Sequence, residues 1–98
     1  MDSQKKENFT NEIYYVLLEC FYNDLDSPSP EYDVQWTDGI SSAAKCQELC
    51  KNNRDCNYFS YGSTTHHGKC WLKSEKATSL ISHPGIIFGP KICGTTIT

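Results

Sequence analysis

Six thiols and three imidazoles are the side chains here whose types could do chemistry. Cys20, Cys46, Cys50, Cys56, Cys70 and Cys93 form an even set in a chain of 98 residues, a combination that reads as a disulfide framework made in an oxidising compartment. Metal chelation is the rival use, because Cys56, His66, His67 and Cys70 offer four ligand atoms of types that suit zinc. Their spacing opposes it: there is no Cys-x2-Cys knuckle and no His-x3-5-His arm, and two cysteines are left over. Asp24-x-Asp26 opens like a calcium loop but lacks the Gly and Glu that should follow, so it reads as a solvated acidic loop. Covalent catalysis needs a nucleophile and a base held by a third group. No elbow, triad or phosphate-cradling glycine motif is present, and the sequence predicts a protein that is not an enzyme and carries no cofactor. His66-His67 and His83, before Pro84, read as loop polar residues. Asn8-Phe9-Thr10 fits a glycosylation acceptor, a triplet that also arises by chance.

Binding is the class of function left. Aromatic residues make up 12% of the chain, and their flat faces suit both core packing and recognition. Tyr15, Leu17, Trp71, Ile86 and Phe88 fit core or surface by alternation. Tyr58, Tyr61, His66, His67 and Lys73 are the candidate ligand-binding residues: they cluster in one stretch and offer a stacking ring, donors and acceptors.

The elements that must position these groups are short. Ile13 to Tyr22 mixes aromatic and branched residues and reads as a strand. Asn23 to Asp33 is acidic, contains Pro28 and Pro30, and reads as a loop; Val34-Gln35-Trp36 reads as a short strand. Asp38-Gly39 signals a turn, and Ser41 or Ser42 can cap a helix. In that helix Ala43, Cys46, Gln47 and Cys50 recur at helical spacing, so Cys46 and Cys50 share one face, and Asn52-Asn53 ends it. Cys56 to Tyr61 and Lys69 to Lys73 read as two strands of a hairpin joined by Gly62 to Gly68. Ser74 to Pro84 reads as irregular, followed by a brief strand from Gly85 to Gly89. The sum is an α+β domain.

The chain is long enough for one core, and a domain of this size gains only thin stability from it. The apolar run Tyr14 to Leu18, preceded by Ile13, falls far short of the roughly 20 residues that span a bilayer as a helix, so no membrane insertion by this segment is expected. Residues 1–12 are polar and read as a disordered leader or linker, with the domain occupying 13–98. Net charge is −3, against a nucleic-acid partner, which calls for a basic field. Met1 to Asp38 carries nine acids against Lys5 and Lys6, whereas Gly39 to Thr98 carries seven bases against three acids. Complementary packing of the two parts is the expected use of that asymmetry.

Six cysteines allow fifteen pairings. Cys46 and Cys50, on one helical face with parallel Cβ directions, each bond elsewhere. A Cys50–Cys56 bridge would pin the helix end to the next strand, a Cys46–Cys70 bridge would pin the helix to the hairpin, and Cys20 would then meet Cys93.

From about Ile13 to Cys93 the sequence resembles the apple/PAN family. The features that carry the resemblance are the early Cys20, Ser41-x4-Cys46-Gln47-x2-Cys50, Cys56-x2-Phe59-x-Tyr61, Cys70-x-Leu72-Lys73 and Gly85-x3-Gly89-Pro90-Lys91-x-Cys93. The resemblance implies a small disulfide-rich fold, a curved antiparallel sheet packed around one helix, with the three pairings just given and with Phe59 and Leu72, which sit in the family's frame, in the interior. The Gly-Pro-Lys ending looks most like the apple domains of apicomplexan microneme adhesins and a related coccidian lectin. An extracellular adhesion module is therefore expected, flanked by other domains in a secreted or surface protein and reaching the outside through an organelle such as the microneme. Its partner would be a protein or other ligand on a host cell; the alternative is a lectin domain for galactose-type glycans. The Asn23 to Asp33 insert departs from the family pattern.

Overall fold

The computed structural model describes residues 20–63 and 66–93. One helix packs on a five-stranded antiparallel sheet in which β1 (Tyr22–Asp26), β2 (Asp33–Thr37), β3 (Tyr58–Gly62), β4 (Lys69–Lys73) and β5 (Ile81–Pro90) stand in the order β1-β5-β3-β4-β2. The architecture is the small, disulfide-rich α+β one that the resemblance implies.

Helix α1 (Ala43–Lys51) forms where the sequence places it, for local reasons. The Ser42 hydroxyl accepts the Lys45 backbone N–H at 3.1 Å and caps the first turn. Asn52 ends the last turn, where Lys51 complements the helix dipole. The face with Ala43, Cys46, Gln47 and Cys50 turns inward. It meets Phe59, Tyr61, Cys70 and Leu72 from β3 and β4, with Ile40 and Ile87 at the margin.

Strand alternation puts the other residues of those strands on the opposite face. There Tyr58 of β3 and Phe88 of β5 pack with Ala77, bordered by Leu25, Tyr32 and Leu80. The segments between β1 and β2 and between β4 and β5 thus form a second small cluster. That is why all five residues of the central strand β3 are buried.

Two parts of the chain depart from the expectations. Asn23–Asp26 was expected in a loop but continues β1 from Tyr22, and β5 begins at Ile81 rather than Gly85. Both differences have one cause. The β1–β5 register slips between Asn23 and Leu25, and the slip lies across from Pro84 and Gly85. Asp24, at φ +61°, sits in the bulge, and its carboxylate accepts the Gly85 N–H at 2.9 Å. Pairing of β5 with β3 begins only at Ile86, so Pro84 lies where a missing N–H leaves the ladder with β3 intact. Of the expected Ile13 to Tyr22 strand, Cys20 and Phe21 lie just before β1 rather than in it, and residues 13–19 lie outside the described residues, as do the expected leader 1–12, Tyr15 and Leu17.

The sulfurs form three pairs, Cys20–Cys93, Cys46–Cys70 and Cys50–Cys56. The last two tie α1 to β4 and to the entry of β3. Near the first, the backbone comes so close that a Cβ on Gly89 would stand 2.5 Å from the Cys20 carbonyl oxygen and 2.7 Å from the Phe59 ring. Among the described residues no helix is long and apolar enough to cross a membrane.

Candidate binding surface

The five residues singled out on the hairpin do not converge. Tyr61 lies on the helix side, buried, with its hydroxyl donating to the Ile40 carbonyl at 2.6 Å. Tyr58 lies on the other side, its ring stacked on Phe88 with centroids 5.6 Å apart. Burial, and next the Glu75 carboxylate, push the Tyr58 phenol above its ordinary value of 10.0. Lys73 is 2% exposed and its ammonium is ion-paired with Asp33. In the hairpin loop His66 is half-buried and His67 is exposed. Tyr58, Tyr61 and Lys73 therefore act as packing and pairing residues, because β3 and β4 are covered on both faces where these three sit.

The rival metal sets are spent in other ways. Cys56 and Cys70, half of the rival zinc quartet that the spacing opposes, are bonded to Cys50 and Cys46. Asp24 binds a backbone N–H in the bulge, and Asp26 is buried, accepting hydrogen bonds from the Ser60 hydroxyl and the Ser27 N–H. His83 Nδ1 stands 3.6 Å from the second Asp26 oxygen, and the His66 and His83 rings meet edge to face at 6.1 Å. Ser60 is fully buried and donates to a carboxylate rather than to an imidazole, an arrangement that ties the end of β1 to β3.

What the sheet does present is an open aromatic surface at its β2 edge. Trp36 of β2 and Trp71 of β4 are register partners, so they share the face opposite the helix. Trp36 is 55% exposed, Trp71 is half-buried, and Val34 is exposed on the same edge strand. The Lys69 ammonium sits 4.2 Å from the Trp36 ring centroid and 5.8 Å from that of Trp71, within cation–π range of both. Asp38 approaches the same ammonium at 3.8 Å. Two flat rings are thus held beside a donor and an acceptor.

The hairpin tip that carries Lys69 is itself anchored. Gly39 and Ile40 donate their N–H groups to the carbonyls of His67 and Gly68 at 3.0 and 2.9 Å. Gly68, at φ +65°, lies so near that a Cβ there would stand 2.5 Å from the Ile40 oxygen. Sequence reasoning missed this surface. In the sequence Val34-Gln35-Trp36 reads only as a short strand, and the signal that points to the surface is Lys69-x-Trp71, which puts a cation and a ring on one face of β4.

The charge asymmetry is used internally as expected, since Asp33 and Asp38 of the acidic part meet Lys73 and Lys69 of the basic part.

Residues 29–73, 45 of the 98 in the chain, match the model of the PAN domain family. The matched stretch carries β2, α1, β3, β4 and the four inner cysteines. PAN/apple domains are generally adhesion or protein-binding modules that take proteins or carbohydrates, a binding family rather than an enzyme family. A disulfide-rich domain of this kind suggests an extracellular or secreted setting.

Proposed function

We propose that this chain is an extracellular apple/PAN adhesion module, occupying residues 13–98, that grips a protein on a cell surface through Trp36, Lys69 and Trp71. The observation that carries the reading is the large exposed ring of Trp36 on an edge strand, braced by Lys69 and set on a hairpin that is tied at its tip. Exposed aromatic and cationic residues on a rigid support are what protein hot spots use, and rigidity lowers the ordering cost of binding. The Gly89-Pro90-Lys91-x-Cys93 ending, similar to that of apicomplexan microneme adhesins, supports a place in a larger secreted or surface parasite protein with sibling domains.

A galactose-type glycan is the second reading. The feature that favours it is the juxtaposition of two indole faces with an ammonium donor and the Asp38 carboxylate, which suits a ring with one apolar face and vicinal hydroxyls. The buried side chains of Tyr58, Tyr61 and Lys73 would not supply direct sugar contacts, so the lectin test moves to Trp36.

The experiment compares wild type and Trp36→Ala on intact cells, on protease-treated cells and on a glycan array, with Leu49→Ala on the exposed side of α1 as control. Adhesion that Trp36→Ala weakens at least tenfold, that Leu49→Ala leaves alone, and that protease treatment abolishes supports the protein partner. Array binding that Trp36→Ala removes supports the lectin. Undiminished adhesion by a folded Trp36→Ala chain overturns both.

A further inference from the structure

The outermost bridge has a position that the two inner ones do not share. Cys20 and Cys93 are 73 residues apart in sequence but 4.6 Å apart at Cα. Cys20 comes just before β1 and Cys93 just after β5, and these two strands pair with each other from Tyr22↔Phe88 onward. The chain therefore enters and leaves the sheet at one covalent point. We propose that Cys20–Cys93 is a mechanical clamp that carries tension past the folded body while it is oxidised, and that it is the first bridge a dithiol opens.

The load path follows from connectivity. Pulling on the chain from both sides loads the S–S bond directly, and nothing between Cys20 and Cys93 can lengthen while that bond holds. Once it opens, the same pull strips β1, an edge strand, from β5. The inner bridges then limit how much chain is released. Cys46–Cys70 locks 24 of the 73 residues, Cys50–Cys56 lies inside that locked loop, and 49 remain free to extend. At about 3.3–3.6 Å per extended residue, the release is roughly 160–175 Å.

Access decides which bridge reacts first. Cys93 is exposed and Cys20 half-buried, whereas Cys46, Cys50, Cys56 and Cys70 are at 0% exposure. Thiol–disulfide exchange needs a thiolate to reach a sulfur, so the four inner sulfurs are shielded in the folded state. Gln47 adds a chemical bias. Its buried amide nitrogen gives one N–H to the Pro90 carbonyl at 3.0 Å and stands 3.5 Å from the Cys93 sulfur and 3.9 Å from that of Cys20. A donor there favours Cys93 as the departing thiolate.

In the exchange, one thiolate of the dithiol attacks the Cys20 sulfur, forming a mixed disulfide and expelling the Cys93 thiolate. The second thiol of the reagent, as its thiolate, then displaces the Cys20 thiolate and closes the oxidised reagent. Two electrons pass from reagent to bridge, and both cysteines end as thiols after taking up protons. The clamp does not depend on which ligand the Trp36 surface holds, so failure of either proposal leaves the other to be judged alone.

The test pulls the full 98-residue chain by handles at its two ends in a force spectrometer, before and after mild dithiothreitol. Parallel samples are alkylated, digested and analysed by mass spectrometry. The oxidised chain should show no unfolding step of this size, and the treated chain a step of roughly 160–175 Å, set by about 3.3–3.6 Å per residue. Alkylation should mark Cys20 and Cys93 while the four inner cysteines stay linked. A step of that size before any reductant overturns the clamp. Inner cysteines alkylated before the outer pair, or together with it, overturn the order of opening.

Discussion

Lys73 and Tyr58 are register partners on adjacent strands, and their fates illustrate what residue type alone conceals. Each is amphipathic, and each reads equally as a surface contact or as a body that buries its stem. The deciding factor is what lies above it: Asp33 arrives from β2 to pair with Lys73, and Ala77 arrives from the β4–β5 connection to cover Tyr58. Neither approach leaves a trace in the spacing of the hairpin residues. Removing the carboxylate should therefore be costly. Asp33→Ala leaves the Lys73 ammonium buried without its anion, and because the Asp33 side chain is only 23% exposed the cost should be about 3 kcal/mol. Urea denaturation checks this as a lower midpoint at unchanged slope, and an unchanged midpoint would show that water or another acid replaces Asp33. Tyr58 gives a pH signature. Its phenol holds its proton more tightly in the folded than in the unfolded chain, so the stabilisation is fully present below its ordinary value of 10.0 and is lost as pH rises through the raised folded value. Stability of the wild type should fall above about pH 10 more steeply than that of Tyr58→Phe. Chemical denaturation from pH 8 to 11 checks it, and parallel curves would contradict the assignment.

At the scale of elements, α1 and the β3–β4 hairpin were legible because each is specified locally: a Ser42 cap, a helical stripe, two short apolar runs and a glycine-containing loop. The β1–β5 pair was not. Its residues join across most of the chain, and each strand carries a feature that locally argues against a strand, the acids of Asn23–Asp26 on one side and Pro84-Gly85 on the other. A long-range bulge reconciles them, and no short window of sequence contains both halves of it. The open Trp36 surface was missed for a related reason. Whether a strand is central or an edge is a property of sheet order, and β2 lies at the edge because it pairs with β4 alone, while β1 goes to the far edge beside β5. Close approach at the β1–β5 end makes Gly89 a sensitive position. A methyl there meets the Cys20 carbonyl and the Phe59 ring, neither of which is the free end of a flexible side chain. Gly89→Ala should cost about 1–3 kcal/mol by overpacking, read as a lower melting temperature. Gly39→Ala, where a Cβ meets open space but φ is +78°, should cost only about 1 kcal/mol of backbone strain. Equal losses would mean that the crowding at Gly89 relaxes freely.

For the whole molecule, the question is what holds two small apolar clusters together in 98 residues. Neither cluster is large, and folded domains in general keep only about 5–15 kcal/mol of net stability. In the chain-entropy account, bridges closing 6, 24 and 73 residues contribute about 2, 3 and 4 kcal/mol. The loops are nested, so the combined effect is less than the sum, yet it still rivals the whole net stability. Three redox forms should accordingly melt in a fixed order. The fully bridged chain should be most stable, the form opened only at Cys20–Cys93 intermediate, and the fully reduced chain unfolded at room temperature. Circular dichroism melts of the three alkylated forms, each verified by intact mass, measure that order directly. If the fully reduced form melted cooperatively near the oxidised one, the apolar clusters would be sufficient alone, and crosslinking would have to be understood as resistance to force or proteolysis rather than as the source of the fold.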